Sequence, residues 1–391
     1  MKPIRAVIDV LGSFGLSVAV LSGMLLLTFL GTVEQQNTGL YEVQKNYFES
    51  WIAMHPTRWG EMPLPGGVLL MSLLAVNLAI GGLVRIRKSK RTAGIIICHV
   101  GIALLMAAGL VKLTNSDDGF LALVEGESSD DFVSFFHWEV AIYDAEADPD
   151  APVQEILIDD TDLRALSGGR SRVFSHPDLG FQLELSNYVP NGRPLPVGPQ
   201  WRSEYPIVDG YATYTFPKAN QAEENVPVVY ARALVGGQVT SAGILYGGEA
   251  SPLILGNGDE LMALSLRKQR FQMPFTVHLD DFHMEEHPRT RIASVYRSDI
   301  TKLQDGVEDK VRIEMNRPLR DSGLVLFQSS YGTRMTDLGP RPYSQFSVVR
   351  NPSDHWPLYA CIVIGVGLLF AFVQRLTAFL KKQNAARRAA A

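Results

Sequence analysis

The run from Ile95 to Leu110, IIICHVGIALLMAAGL, is apolar enough for lipid except at His99. That residue lies eight positions beyond Arg91 and thirteen before Lys112. At about 1.5 Å of helical rise per residue, the imidazole sits roughly 12 Å from one end of the span and 20 Å from the other. A charged ring at that depth is costly, so the neutral form is expected. Neutral imidazole is a common metal ligand and an axial ligand of haem iron. Ala103 and Ala107 follow at i+4 and i+8, which leaves small side chains on the same face, where a flat macrocycle or a partner helix could approach. A hydrogen bond to a neighbouring helix is the other use of such a ring.

The remaining candidates are weaker. Asn77, inside another apolar run, suits an interhelical hydrogen bond. Cys98 points about 100° away from His99 on a helix and reads as a packing residue. The stretch VHLDDFHMEEH gathers His278, His283 and His287 among carboxylates, but Met284 stands where a HExxH zinc site has its glutamate. Pro288 follows at once, so a strand end or turn suits the segment better than a helical metal site. His55, in AMHPTRW, is a minor ligand candidate, and His137, His176 and His355 stand isolated. No phosphate loop, nucleophile elbow or dinucleotide fingerprint is present. The only cysteines, Cys98 and Cys361, lie in apolar runs, so there is neither CxxC redox chemistry nor a CxxCH haem attachment.

Four windows free of Asp, Glu, Lys and Arg position these residues: Val10–Val33, Met62–Val84, Thr92–Val111 and His355–Gln374. Each is long enough to cross a bilayer. The first is too long to be a removable signal and lacks a small-residue cleavage site. Basic residues crowd 85–91, follow the fourth window and precede the first. The positive-inside rule therefore predicts both termini and the 85–91 loop in the cytoplasm. The 34–61 loop is then external and, from Leu40, Val43, Tyr47, Trp51 and Met54, predicted to be an amphipathic helix at the interface.

The segment Thr114–Asp354 carries 21 basic and 36 acidic residues, net −15, which the chain total of −5 hides. Such acidity argues against nucleic acid as a partner. Runs such as WEVAIYD, FQLELSNYVP, PVVYARALV and FTVHLDDF alternate and are separated by turn signals, so packed β-sheets are expected, with room for two subdomains. The acidic stretch 144–152 reads as a solvated loop. The predicted fold class is an integral membrane protein with four transmembrane helices and a large mainly-β extracytoplasmic domain inserted between helices three and four. Its parts are a membrane region (1–113; spans about 10–33, 62–84 and 92–111, with outer loop 34–61), the β-rich domain (114–354), and a fourth helix (about 356–374) with a basic cytoplasmic tail within 355–391.

Several segments in order resemble the ResB family, membrane proteins of cytochrome c biogenesis system II. These are LGSFGLSVAVLSGMLLLTFLGTVEQ with Gly31–Thr32, CHVGIALLMAAG, the strand leading to Ser298–Asp299, and IEMNRPLRDSGLVLFQSSYG. The last carries Asn316, Pro318, Leu319, Gln328, Ser329, Ser330 and Tyr331. The closing RNPSDHWPLYACIVIGVGLLFAF also fits, whereas about 120–265 resembles the family poorly. The resemblance implies a multi-pass protein of the cytoplasmic (inner) membrane. With a ResC-type haem-handling partner, it would bind and export haem b, held transiently and non-covalently, for attachment to apocytochrome c. It implies His99 as a haem axial ligand, contacting the iron. The tryptophan-rich segment of the partner is absent, so this chain is expected to be a non-catalytic subunit of the ligating complex. Two other readings stay open: a scaffold subunit that binds no haem, and a sensor or assembly factor with a ligand-binding β domain.

Overall fold

The computed structural model describes residues 2–147, 153–198, 201–258, 260–289, 293–337 and 339–390. Five residues of the acidic loop expected at 144–152 lie outside them. Two compact units emerge: residues 1–116 with 351–391, and residues 117–350.

The first unit is helical. Its helices are α1 (Lys2–Leu11), α2 (Phe14–Thr38), the short α3 (Leu40–Val43), α4 (Gly67–Asn77) and α5 (Ala93–Asn115), with α6 (Asp160–Arg164) in the other unit and α7 (Trp356–Ala390) closing the chain. Four helices are long and apolar enough to cross a membrane: Phe14–Thr38, Gly67–Val84, Ala93–Asn115 and Trp356–Arg388. The first begins at Phe14, not Val10, because Ser13 caps it: the Ser13 hydroxyl accepts from the Leu16 amide at 3.2 Å. The second continues α4 through a wider π turn, Leu78–Val84.

The amphipathic helix expected from Leu40 to Met54 is only half present. Helix persists to Phe48, in π geometry from Gln44. Beyond it the chain forms a hairpin of β1 (Ile52–Thr57) and β2 (Gly60–Pro65). Gly60, at φ 122°, makes the turn, a backbone angle natural to glycine alone. Two prolines in β2 also forbid helix there. The spacing of Trp51 and Met54 was therefore coincidental with a helical period.

Packing within this unit relies on small residues, which let helix backbones approach closely. A Cβ on Gly94, Gly101 or Gly367 would meet backbone or side chain of the facing helix at 2.6–2.8 Å, so α5 and α7 approach closely along this face. Cys98 packs into the same seam, its Sγ 3.6 Å from the Ile364 carbonyl oxygen. Asn77 is buried. Its amide donates to the carbonyls of Leu11 (2.7 Å) and Ser13 (2.9 Å) and its oxygen accepts from the Ser17 hydroxyl (2.6 Å). It thus satisfies the Leu11 carbonyl where α1 ends and adds a bond to the Ser13 carbonyl at the start of α2.

The second unit is β. Its strands are β3 (Asp117–Val124), β4 (Ser128–Asp144), β5 (Ile156–Ile158), β6 (Ser171–Phe174), β7 (Gln182–Val189), β8 (Gly192–Pro196), β9 (Tyr211–Thr215), β10 (Val228–Val235), β11 (Gln238–Tyr246), β12 (Leu253–Gly256), β13 (Leu261–Glu286), β14 (Ala293–Gln304), β15 (Val307–Glu314), β16 (Leu319–Asp321), β17 (Leu324–Thr336) and β18 (Gly339–Arg350). A ten-stranded sheet runs β15-β14-β13-β4-β3-β18-β17-β16, with β12 on β13 and β5 on β4; a four-stranded sheet runs β11-β10-β7-β6.

Two hydrophobic cores result. One gathers Val140, Ile142, Leu183, Leu185, Val229, Ala231, Leu264 and Leu266. The other gathers Leu121, Phe132, Phe275, Val277, Ile300, Leu326 and Phe346. The strands β4 and β13 run through both. Where β4 passes from one core to the other its register breaks: Val133 faces Arg270 and Trp138 faces Lys268. Four residues, Ser134–His137, thus oppose one, a pronounced β-bulge.

The Asn77 contacts yield a first expectation. Replacing Asn77 with Leu removes three hydrogen bonds in apolar surroundings and lowers the stability of the helical unit by about 1–2 kcal/mol. Unfolding in detergent measures this, and an unchanged transition would contradict the role given to the side chain.

Candidate functional site

His99 lies on α5, half-buried, beside the π turn that ends the second apolar helix. Its Nδ1 is 2.9 Å from the carbonyl oxygen of Gly82. A carbonyl only accepts, so Nδ1 carries the proton. The neutral ring then presents a lone pair on Nε2, the tautomer a metal ligand needs. The Gly82 carbonyl can take this bond because it belongs to the last turn of its helix, where carbonyls lack a partner within the helix. Glycine is also required sterically: a Cβ there would stand 2.8 Å from His99 Nδ1. Further along the helix, Ala103 is half-exposed and Ala107 exposed within the chain. The residues present therefore fit one axial contact to a haem iron, with an uncovered face of small side chains for a macrocycle or a second helix. His55, the other histidine weighed as a ligand, pairs through Nδ1 with the Tyr47 hydroxyl.

The positions around 298–331 do come together, but as structure. Ser298, Gln328 and Ser344 are buried. The Ser298 hydroxyl is 2.7 Å from Gln328 Oε1 and 2.8 Å from the Ser344 hydroxyl, and the Gln328 amide donates to Ser344 at 2.7 Å. Gln328 also donates to the Ser330 carbonyl at 3.3 Å. Ser329 is the extra residue of a bulge in β17, where Gln328 faces Phe346 and Ser330 faces Gln345; its hydroxyl donates to the Gln345 carbonyl. Tyr331 stacks on Phe282 and packs against Tyr296, with ring centroids 5.3 and 5.2 Å apart. Asp299 accepts from Nε and Nη2 of Arg312. Asn316 is exposed in the turn Glu314–Arg317, and Pro318 leads into buried Leu319. These residues pin three strands and a turn.

The histidines of VHLDDFHMEEH lie on or just beyond β13 rather than on a helix, with His278 against the Ser128 hydroxyl and His283 beside Glu285. Among the described residues no group of three His, Cys, Asp or Glu side chains could hold a metal ion.

Sequence spacing missed two features. One is Gly82, for which the Gly81–Gly82 pair near the basic loop was the available signal. The other is the partner of His137. Asp160, from α6, is buried and its Oδ2 lies 2.9 Å from His137 Nδ1 and 2.6 Å from Arg164 Nε, while Oδ1 accepts from the Trp138 amide at 3.3 Å. Burial alone would raise this carboxyl, but the His137 hydrogen bond and the Arg164 charge outweigh it and hold the pKa below the ordinary value.

Residues 238–338 match the model of the ResB-like family. That segment contains Ser298, Asp299, Asn316, Pro318 and the QSSY run, and it bears out the resemblance read from the sequence. No curated protein matches the chain.

Two expectations follow from these geometries. Ser298→Ala leaves the Gln328 and Ser344 polar atoms under-satisfied in the core and costs about 1–3 kcal/mol in denaturant unfolding, whereas Asp299→Ala, at an exposed pair, costs under about 1 kcal/mol. Equal effects would refute the distinction. Because Asp160 has a depressed pKa in the fold, its contribution is fully present above the unfolded carboxylate value of about 3.9 and is lost as pH falls through the lower folded value. Asp160→Asn should therefore flatten the acid limb of the stability–pH curve, and an unaltered limb would exclude the assignment.

Proposed function

We propose that this chain, ResB-like over residues 238–338, acts in cytochrome c biogenesis as a membrane subunit that holds haem through His99. The observation that carries the reading is the His99–Gly82 bond, which leaves Nε2 as a lone-pair donor at depth in an apolar helix. Haem iron needs only one side chain on each axial side, because the porphyrin supplies the other four nitrogens. One imidazole from this chain and one from a ResC-type partner would complete it.

The basic loop at 85–91 and the basic tail favour a cytoplasmic location for both termini and an inner-membrane setting. His99 then lies nearer the cytoplasmic side, from which the cargo would enter. Half-exposed Ala103 and exposed Ala107 provide the surface against which a macrocycle would lie. The net −15 segment would sit outside, where its field attracts a basic apocytochrome c and raises its encounter rate. The chain would present haem rather than form the thioether bonds itself.

The test is spectroscopic. The chain, co-expressed with a candidate partner and purified in detergent, should carry a haem Soret band that falls at least tenfold in His99→Ala and returns with added imidazole. Gly82→Ala should shift or weaken the band, since it displaces the ring without removing it. Unchanged pigment and unchanged c-type cytochrome maturation in His99→Ala would overturn the reading and leave a scaffold or a sensor with a β-rich domain.

A further inference from the structure

Strands β11, β12 and β13 enclose a cavity of about 540 Å³ beside the first hydrophobic core, with part of the β8–β9 hairpin on its rim. β11 lines it with four consecutive residues, Gly243–Tyr246, and β13 with Leu264, Ser265 and Leu266. Successive side chains of a strand point to opposite faces. A strand therefore lends consecutive residues to one cavity only where it meets that cavity edge-on. Two strand edges look into the same space, and neither is paired there. β11 ends the four-stranded sheet, with β10 on its other side. On β13 one edge belongs to β4. Along the other, β12 covers Leu261–Leu264 and β14 begins at Thr276, so among the described residues no strand pairs with 265–275 on this edge. The β12 ladder stops for a physical reason: Leu253 pairs with Leu264, and the next residue, Pro252, has no N–H to give.

Ladder alternation fixes which groups of β11 are open. The Gly247 amide donates to the Pro227 carbonyl at 3.0 Å. Leu245 and Gly243 therefore turn their backbone groups toward β10, while Ile244 and Tyr246 turn theirs toward the cavity. The Tyr246 carbonyl accepts from the Glu249 amide at 3.0 Å. The Tyr246 amide and both backbone groups of Ile244 have no partner among the described residues. Unpaired edge groups are a template for an added strand. The walls set the chemistry of its side chains. Leu245, Leu264 and Leu266 belong to the buried core, so the inner wall is apolar. On the rim, exposed Asp209 and Glu249 form no ion pair among the described residues and outnumber Arg193. An extended segment lying in the slot sets alternate side chains against the leucines and against the carboxylates. We propose that this slot binds an extended peptide of alternating aliphatic and cationic residues, by strand addition to β11 at Ile244. Such binding needs neither haem nor a ligand role for His99.

The experiment titrates the full chain in detergent against a fluorescein-labelled hexapeptide of alternating lysine and valine, followed by fluorescence anisotropy. Saturable binding is expected. N-methylating alternate backbone amides keeps every side chain and charge. At least one of the two such patterns should weaken binding about tenfold, through the loss of hydrogen bonds to the edge. A hexapeptide of alternating glutamate and valine should bind about tenfold more weakly than the lysine peptide. Ser251→Trp, at an exposed position lining the slot, should block binding. Ile244→Pro removes a cavity-facing amide and no ladder bond, and should weaken binding while leaving the melting transition in place. Asp209→Asn combined with Glu249→Gln should weaken the lysine peptide and flatten its salt dependence; asparagine tolerates the φ of 50° at position 209. Absence of saturable binding, parental affinity in both N-methylated patterns, equal affinity for the glutamate peptide, or no effect of Ser251→Trp would each overturn the proposal. A dimer of the chain that Ser251→Trp abolishes would also overturn it, by assigning the slot to a second copy.

Discussion

Polar groups in apolar surroundings must find partners, and this constraint shapes both units. At His99 the partner is the Gly82 carbonyl, which is available only because the neighbouring helix ends there and only because residue 82 has no side chain. The bond does two things at once. It removes the cost of one ring nitrogen in an apolar helix and commits the proton to Nδ1, which leaves the lone pair on the other nitrogen. A histidine satisfied at both nitrogens would be inert. One satisfied at neither would be costly to bury.

The same accounting governs the β unit. Strands β4 and β13 thread two hydrophobic cores, so the inward face must change along their length. Bulges make such changes and strand backbone groups as they do so. In β4 the stranded groups are taken up by Ser134, Lys268, Arg164 and Asp160. In β17 the bulge at Ser329 is served by Gln345, while Gln328 turns inward to Ser298 and Ser344. The family-matched residues at 298 and 328–331 thus fasten the sheet.

Much of this was legible in the chain alone. Charge-free windows announced four apolar helices, because the period and length of a spanning helix are one-dimensional properties. The misreading at 49–61 came from apolar spacing compatible with a helix where Pro63, Pro65 and the Gly60 turn enforce a hairpin. Span edges were also blurred, since a Ser13 cap and a strand at Met62 carry little hydropathy signal.

By itself the sequence determined that an imidazole stands deep in an apolar run, that acidic charge is segregated into a β-rich segment, and that the Ser298 and Gln328 positions belong to a recognisable pattern. Only the tertiary structure decided which nitrogen of His99 bears the proton, because the Gly82 acceptor comes from another helix. It alone brought Asp160 to His137, across 23 positions and a change of sheet strand to helix. Partners of this kind are chosen by packing, and side chains distant along the chain leave no periodicity by which to find them.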